Sequence, residues 1–259
     1  MKYRQLGSKG LLVSEIGFGG WGIGGVVRNA ASYGPVNDDR SRRALRCALD
    51  CGVTFYDTSD LYGYGHSEEV IGDAFRRDRS RIVIASKVGF LDSTSQDFSP
   101  AHIRRSLEDT LRRLKSDYVD VYQLHNPPLA ADEPAQSALA ALLALRQEGK
   151  VRAVGISVRS PEEGALAVQL GVEAVQVNLN MIDQRAVGSG VLQACGGAGT
   201  GVICRTPLCY GFLSAKYGSA HEFGDGDHRR DWTAAQRALW AEAPALFDSI
   251  RQRERQTAA

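Results

Sequence analysis

The sequence predicts a single α/β domain, an eight-fold β/α barrel whose bottom is plugged by an N-terminal β-hairpin. Three observations lead there. Short apolar runs rich in β-branched residues alternate with amphipathic segments down most of the chain. The connections are short, which favours parallel strands joined by crossover helices. No proline- or glycine-rich linker divides the chain, so residues 1–259 read as one domain, and 43% hydrophobic residues is ample for its core.

The elements follow in order. Tyr3–Leu6 and Leu11–Val13 flank Gly7-Ser8-Lys9-Gly10 and read as the hairpin. Ser14–Phe18 is the first barrel strand. Val53–Tyr56, Arg81–Ser86, Tyr118–Leu124, Val151–Ile156, Val172–Val177 and Gly201–Cys204 are the next six. Phe18-Gly19-Gly20-Trp21-Gly22-Ile23-Gly24-Gly25 opens a long loop instead of a helix, so the glycine fingerprint of a doubly wound dinucleotide fold is not met. Helices are expected over Asp38–Asp50, Ser67–Arg77, Pro134–Gln147 and Arg185–Cys195. Two more begin at Ser99-Pro100 and Ser160-Pro161, each an N-cap followed by proline where its missing N–H costs nothing. Ile103, Leu107, Leu111 and Leu114 recur at helical spacing on one face, and Ala138–Leu145 reads as an ordinary packed helix.

After Trp232 comes a helical stretch from Ala234 to about Arg255, and no eighth strand is found. Seven strands leave two unpaired edges, so the barrel is expected to be C-terminally incomplete. Such a chain is expected to be unstable alone, to associate through the gap, or to be part of a longer protein.

Composition narrows the function. With 31 basic and 30 acidic side chains, the formal charge of +1 gives no reason to expect nucleic acid or an anionic membrane as partner. No run approaches the roughly 18 apolar residues of a membrane span. Met1-Lys2-Tyr3-Arg4-Gln5 lacks the apolar core of a secretory signal. Five cysteines, an odd number without paired ligand spacing, read as reduced thiols in a cytoplasmic protein with no metal site. Cys204 and Cys209 are taken as small packing residues.

Barrel enzymes place their chemistry where strands run into the following loops. Asp57 ends the second strand, Lys87 the third and His125 the fourth, with Tyr62 in the loop after Asp57. An aspartate, a lysine, a histidine and a tyrosine on one face form a proton-transfer constellation. Tyrosine titrates near 10, and a nearby ammonium lowers that value by favouring phenolate. Lys87 would supply such a charge to Tyr62, and Asp57 would hold it in place.

Three motifs at these positions, Phe55-Tyr56-Asp57-Thr58-Ser59-Asp60-Leu61-Tyr62-Gly63, Ala85-Ser86-Lys87-Val88-Gly89 and Leu124-His125-Asn126-Pro127-Pro128, resemble the aldo-keto reductase signatures in order and spacing. The resemblance runs from Leu6 through about Tyr217. It implies reduction of an aldehyde or ketone with NADPH, NADH remaining open, and Tyr62 as general acid beside Asp57, Lys87 and His125. That reaction makes an alkoxide, which needs a proton donor and stabilisation of developing charge, and His125 would hydrogen-bond the substrate carbonyl. It also implies cofactor contacts from Gly20 and Trp21 in the first loop, from Asp57, and from Ser157 and Gln176, the latter two holding the nicotinamide carboxamide. Val158 stands where many relatives carry asparagine, and Arg205 where an aromatic usually stacks on the nicotinamide; a guanidinium can stack too. Thr206, Pro207, Leu208 and Gly211, with Lys216 close behind, resemble the loop over the pyrophosphate. Trp21 as plain rim packing is an equal alternative. Gly224–Arg230 reads as a solvated surface loop, although it and the first loop would suit a sugar or other oxygenated metabolite. The family's segment for the adenosine 2′-phosphate is not found. The small-molecule carbonyl is the expected partner, with a monomer and a homo-oligomer both open. Two rivals remain: a non-catalytic cofactor-binding barrel serving as sensor or partner module, and a lyase or isomerase using Lys87 as a Schiff-base amine.

Overall fold

The computed structural model describes residues 1–27, 31–129 and 132–248. An antiparallel hairpin, β1 (Tyr3–Leu6) and β2 (Leu11–Ser14), precedes a sheet of seven parallel strands that neighbour one another in chain order. These are β3 (Gly17–Gly19), β4 (Phe55–Asp57), β5 (Val83–Val88), β6 (Val119–His125), β7 (Val151–Ser157), β8 (Ala174–Asn178) and β9 (Gly201–Arg205). The helices are α1 (Trp21–Gly24), α2 (Asp38–Asp50), α3 (His66–Phe75), α4 (Pro100–Leu114), α5 (Asp132–Gln147), α6 (Pro161–Gln169), α7 (Arg185–Gly188), α8 (Val191–Ala198) and α9 (Ala234–Glu242). Among the described residues no helix is long and apolar enough to cross a membrane.

Alternation along the strands builds two cores. Phe55, Val83, Ala85, Val121, Ala153, Ala174 and Ile203 face the barrel axis, where Leu6, Leu11 and Val13 of the hairpin close the bottom. The opposite faces, including Tyr56, Ile84, Tyr122, Leu124, Val154, Ile156 and Val175, pack under the helices. Parallel strands covered on both faces read as continuous apolar runs. β5 and β6 are buried at every position. On the axial side the same alternation continues upward from Ala85 to Lys87 and from Val121 to His125, which lifts those polar ends to the C-terminal rim.

The expected strands and hairpin are present, mostly displaced by one or two residues towards the C-terminus. The polar strand-end residues stay in the ladder because their side chains are satisfied within the barrel mouth. The glycine-rich loop contains one helical turn, α1. The helix expected over Arg185–Cys195 is instead two, α7 and α8, separated at Gly190, whose φ of +82° reverses the chain. The helix expected from Ala234 ends at Glu242, and a 3₁₀ turn over Ala243–Phe247 follows at Pro244; its remainder from 249 lies outside the described residues. Ala138, Leu142 and Leu145 of α5 are buried, as a packed helix requires. Among the described residues the sheet has no eighth strand, and β3 and β9 share no ladder.

Candidate active site

The residues at the strand ends converge. Asp57 closes β4, Lys87 is the penultimate residue of β5 and His125 closes β6. Tyr62 reaches them from the β4–α3 loop, which is fixed by a close backbone contact. At Gly63, φ is +62° and an added Cβ would lie 2.1 Å from the Gly24 carbonyl oxygen. No L side chain fits there, so the Tyr62 loop seats directly against α1.

Lys87 is completely buried, and its Nζ donates to Asp57 Oδ2 (2.7 Å), the Thr58 carbonyl (2.8 Å) and Tyr62 Oη (3.3 Å). Burial by itself would push the amine towards neutrality, but Asp57 and Tyr62 more than offset it and raise its pKa. All three ammonium donors are engaged, so Lys87 is a fixed cation and not a free amine, which argues against Schiff-base chemistry. Lys87 pulls the Tyr62 pKa down, as expected, but not far enough to set its net direction. Burial raises the phenol's pKa and outweighs the opposing pull of Lys87, so Tyr62 stays protonated in the resting site.

His125 is held neutral. Burial first, then the charges of Lys87, Arg205 and Arg159, depress its pKa well below the usual imidazole range. Its ring meets Phe90 edge-on at 4.8 Å and Tyr62 at 6.2 Å, while Nδ1 faces Ser59 Oγ at 3.3 Å. Gln96 Nε2 donates to the His125 carbonyl at 3.0 Å and steadies the strand end from outside.

Ser157 and Gln176 join the same cluster. Gln176 Nε2 donates to Asp57 Oδ1 (2.7 Å), and Ser157 Oγ donates to Gln176 Oε1 (3.4 Å). Asp57 therefore ties the lysine on one side to the amide on the other. Val158, one residue past β7, turns outward into the helix-facing core, and its carbonyl accepts from Arg205 at 3.1 Å. Arg205 ends β9 close enough for its charge to act on Tyr62 and His125, and its Nε is buried without a hydrogen-bond partner. Gly20 packs backbone to backbone on the second barrel strand, its N–H donating to the Asp57 carbonyl at 2.7 Å. Thr206, Pro207, Leu208 and Gly211 lie in the loop after β9, where Thr206, Cys209, Tyr210 and Gly211 all have positive φ, and Lys216 is exposed beyond it. These loop residues make none of the hydrogen bonds that join the Asp57, Tyr62, Lys87 and His125 cluster.

Trp21 is half-buried at the rim, 6.4 Å from Tyr62 and 4.8 Å from both Tyr33 and His228 by ring centroids. The reading of Gly224–Arg230 as a solvated loop is overturned at its centre. Asp227 and Arg229 are buried and paired through both carboxylate oxygens, at 2.9 and 2.5 Å. The guanidinium lies 4.2–4.7 Å from the rings of Tyr33, Tyr217 and Phe223. His228 then packs on the first loop, its ring against Trp21 and Tyr33 and its backbone N–H donating to the Ser32 carbonyl at 2.9 Å. Sequence reasoning missed Tyr33 and took His228 only as part of that loop, because the rings that cage Arg229 are scattered along the chain; Asp227-x-Arg229 was the one local signal. Of the two cysteines taken as packing residues, Cys209 is buried, but Cys204 is exposed on the outer face of the edge strand β9.

A sequence profile described as the aldo/keto reductase family matches residues 15–257. The chain belongs to the aldo/keto reductase family. It is 33% identical over 228 residues to the aldo-keto reductase yakc of Schizosaccharomyces pombe, whose name specifies NADP(+), covering 84% of this chain and 65% of the relative. It is 36% identical over 161 residues to the L-galactose dehydrogenase of Arabidopsis thaliana, covering 61% of this chain and 48% of that protein. The chain thus spans about half to two thirds of the length of these curated relatives. Among solved structures, the glycerol dehydrogenase of Gluconobacter oxydans superposes with a TM-score of 0.80 at 27% identity, covering 99% of this chain and 80% of that one. Solved reductases of this family accordingly share the barrel and its arrangement of strands.

Proposed function

We propose that this reductase converts an aldehyde or ketone to an alcohol with NADPH, Tyr62 being the general acid. The hydrogen-bonded chain Asp57–Lys87–Tyr62 at one barrel mouth, with neutral His125 beside it, carries the reading. His125 orients the substrate by a hydrogen bond to its carbonyl oxygen. Tyr62 gives its proton to that oxygen as charge develops, and Lys87 stabilises the phenolate left behind. A phenol whose pKa stays above 10 keeps the acid loaded at neutral pH, with Lys87 already in place for the charged state.

The residues present fit a nicotinamide dinucleotide. Ser157 and Gln176 offer a polar pair suited to a carboxamide, and Arg205 offers a planar guanidinium able to stack, whose buried Nε is without a hydrogen-bond partner. Asp57, Gly20 and Trp21 would line the same end. Thr206, Pro207, Leu208, Gly211 and Lys216 would hold the phosphates, Lys216 supplying a positive charge. When bound, the nicotinamide supplies the hydride. The preference for NADPH rests on the cations Arg205 and Lys216 and on the NADP(+) named for the yeast relative.

For substrate, the rim of Trp21, Tyr33 and His228 pairs aromatic surface with polar edges, as a small oxygenated carbonyl compound requires. The names of the galactose and glycerol dehydrogenases support that class. The five free thiols suit a reducing cytoplasm. Fluorescence titration with NADPH and NADH, followed by a panel of sugar-derived and simple carbonyls, tests the proposal. Substrate-dependent oxidation of bound NADPH is expected. Tight binding without turnover on any carbonyl would instead favour the sensor reading.

A further inference from the structure

Ser59 is completely buried between His125 and Asp60, and its hydroxyl is over-subscribed. It faces His125 Nδ1 at 3.3 Å and Asp60 Oδ1 at 3.1 Å, and it accepts the Leu61 N–H at 3.1 Å. One lone pair and one proton remain for two neighbours, so the hydroxyl can donate to one of them only if the other donates to it. We propose that Asp60, acting through Ser59, selects which nitrogen of His125 carries the proton, and so whether the ring donates or accepts at the reacting oxygen.

The two states follow from counting hydrogens. With Asp60 ionised, Ser59 gives its proton to the carboxylate. His125 must then donate from Nδ1, which leaves Nε2 a bare acceptor. With Asp60 protonated, the carboxyl donates to Ser59, Ser59 donates to Nδ1, and Nε2 carries the hydrogen a substrate carbonyl needs. The remaining arrangement, an imidazolium beside a carboxylate, is opposed by the burial and cationic neighbours that hold His125 neutral. Ionisation of Asp60 releases one proton to solvent, and the two that remain are redistributed, with Ser59 turning to the carboxylate and the imidazole proton passing from Nε2 to Nδ1 by exchange with water.

The surroundings of Asp60 make that titration accessible. Its other oxygen, Oδ2, accepts from Ser106 Oγ of α4 at 3.0 Å, and Ser106 in turn accepts from Tyr122 Oη of β6 at 3.3 Å. From α3, buried Glu68 faces it while accepting from Ser86 (2.5 Å), Thr110 (3.1 Å) and Arg113 (2.6 Å). The charged and titratable groups around the carboxyl are thus Glu68, Arg113 and Tyr122. Burial first, then the charge of Glu68, lifts the Asp60 pKa to about 7, against Ser106, Ser59 and Arg113. Asp60 and Ser59 are accordingly positioning residues, touching the reaction only through His125.

The inference rests on the carbonyl-reductase reading for its consequence but not for its test. In unliganded protein carrying ¹⁵N-imidazole label, the His125 signals, assigned by their loss in His125→Asn, should pass from Nε2–H to Nδ1–H with a midpoint near pH 7. Asp60→Asn places an amide donor against Ser59 and should hold Nε2–H from pH 5.5 to 8.5. Ser59→Ala should abolish the pH switch while leaving the ring neutral. In turnover, wild-type kcat/KM for carbonyl reduction should fall by about tenfold per unit above pH 7, and Asp60→Asn should flatten that limb. Identical His125 spectra in wild type and Asp60→Asn overturn the relay even if the enzyme is active. A tautomer switch in a protein that reduces no carbonyl leaves the relay standing and refutes the proposed reaction.

Discussion

Replacing Tyr62 by phenylalanine separates chemistry from stability, and the structure sets the two magnitudes far apart. The hydroxyl makes one hydrogen bond, a long one of 3.3 Å from Lys87, which has two better acceptors in Asp57 and Thr58. Loss of one ordinary hydrogen bond costs about 1 kcal/mol, so the melting temperature should fall by roughly 2–4 °C for a chain of this size. The ring keeps its contacts with Trp21 and His125. If Tyr62 donates the proton, the variant loses a general acid worth about 10²–10⁴ in rate, or roughly 3–5 kcal/mol of barrel-mouth stabilisation realised only in the transition state. Turnover followed at the nicotinamide absorbance should therefore drop at least about a hundredfold, while cofactor affinity by fluorescence changes little. Turnover within a few-fold of wild type would refute the mechanism, and a collapse in cofactor affinity of the same size would make Tyr62 a binding residue.

Other outcomes follow from the same geometry. Asp57→Ala leaves the Lys87 ammonium buried without its carboxylate and should cost about 3–5 kcal/mol in urea unfolding. Gly63→Ala drives a methyl into the Gly24 carbonyl at a left-handed backbone position and should destabilise by more than about 1 kcal/mol while lowering kcat, because Tyr62 is the adjacent residue. His125 is depressed in the folded state from an ordinary value of 6.5, so its contribution to stability is complete above that pH and is lost as pH falls below it. From pH 7.5 to 5.5 the unfolding free energy of the wild type should fall by about 1.4 kcal/mol relative to that of His125→Asn over the same interval, the comparison cancelling groups such as Asp60 that titrate in both. Arg229→Met strands the buried Asp227 carboxylate; substrate KM should rise through the displaced His228 and Tyr33 more than kcat falls, read from full saturation curves.

The periodicity of the sequence determined the α/β alternation, the hairpin and the placement of Asp57, Lys87 and His125 at strand ends. Each of these depends on local pattern: β-branched runs, Ser-Pro helix starts, and the alternation that makes every second residue face the axis. Tertiary structure decided what no local pattern encodes. Whether the pull of Lys87 or the burial of the phenol sets the net direction of the Tyr62 pKa is a sum over neighbours from several strands. Val158 faces the helices and not the site because β7 delivers Ser157 to the axis, and alternation then sends the next side chain outward. The charged loop around Arg229 reads as solvated from its own residues. Tyr33 lies almost 200 positions earlier, and only folding brings it against Arg229 beside Tyr217 and Phe223 to form the cage that covers the charge. The Ser59 relay is the sharpest instance. Its chemistry is a count of protons and lone pairs among Asp60, Leu61 and His125, and the strand that carries His125 enters that count only when β4 and β6 meet at the same barrel mouth.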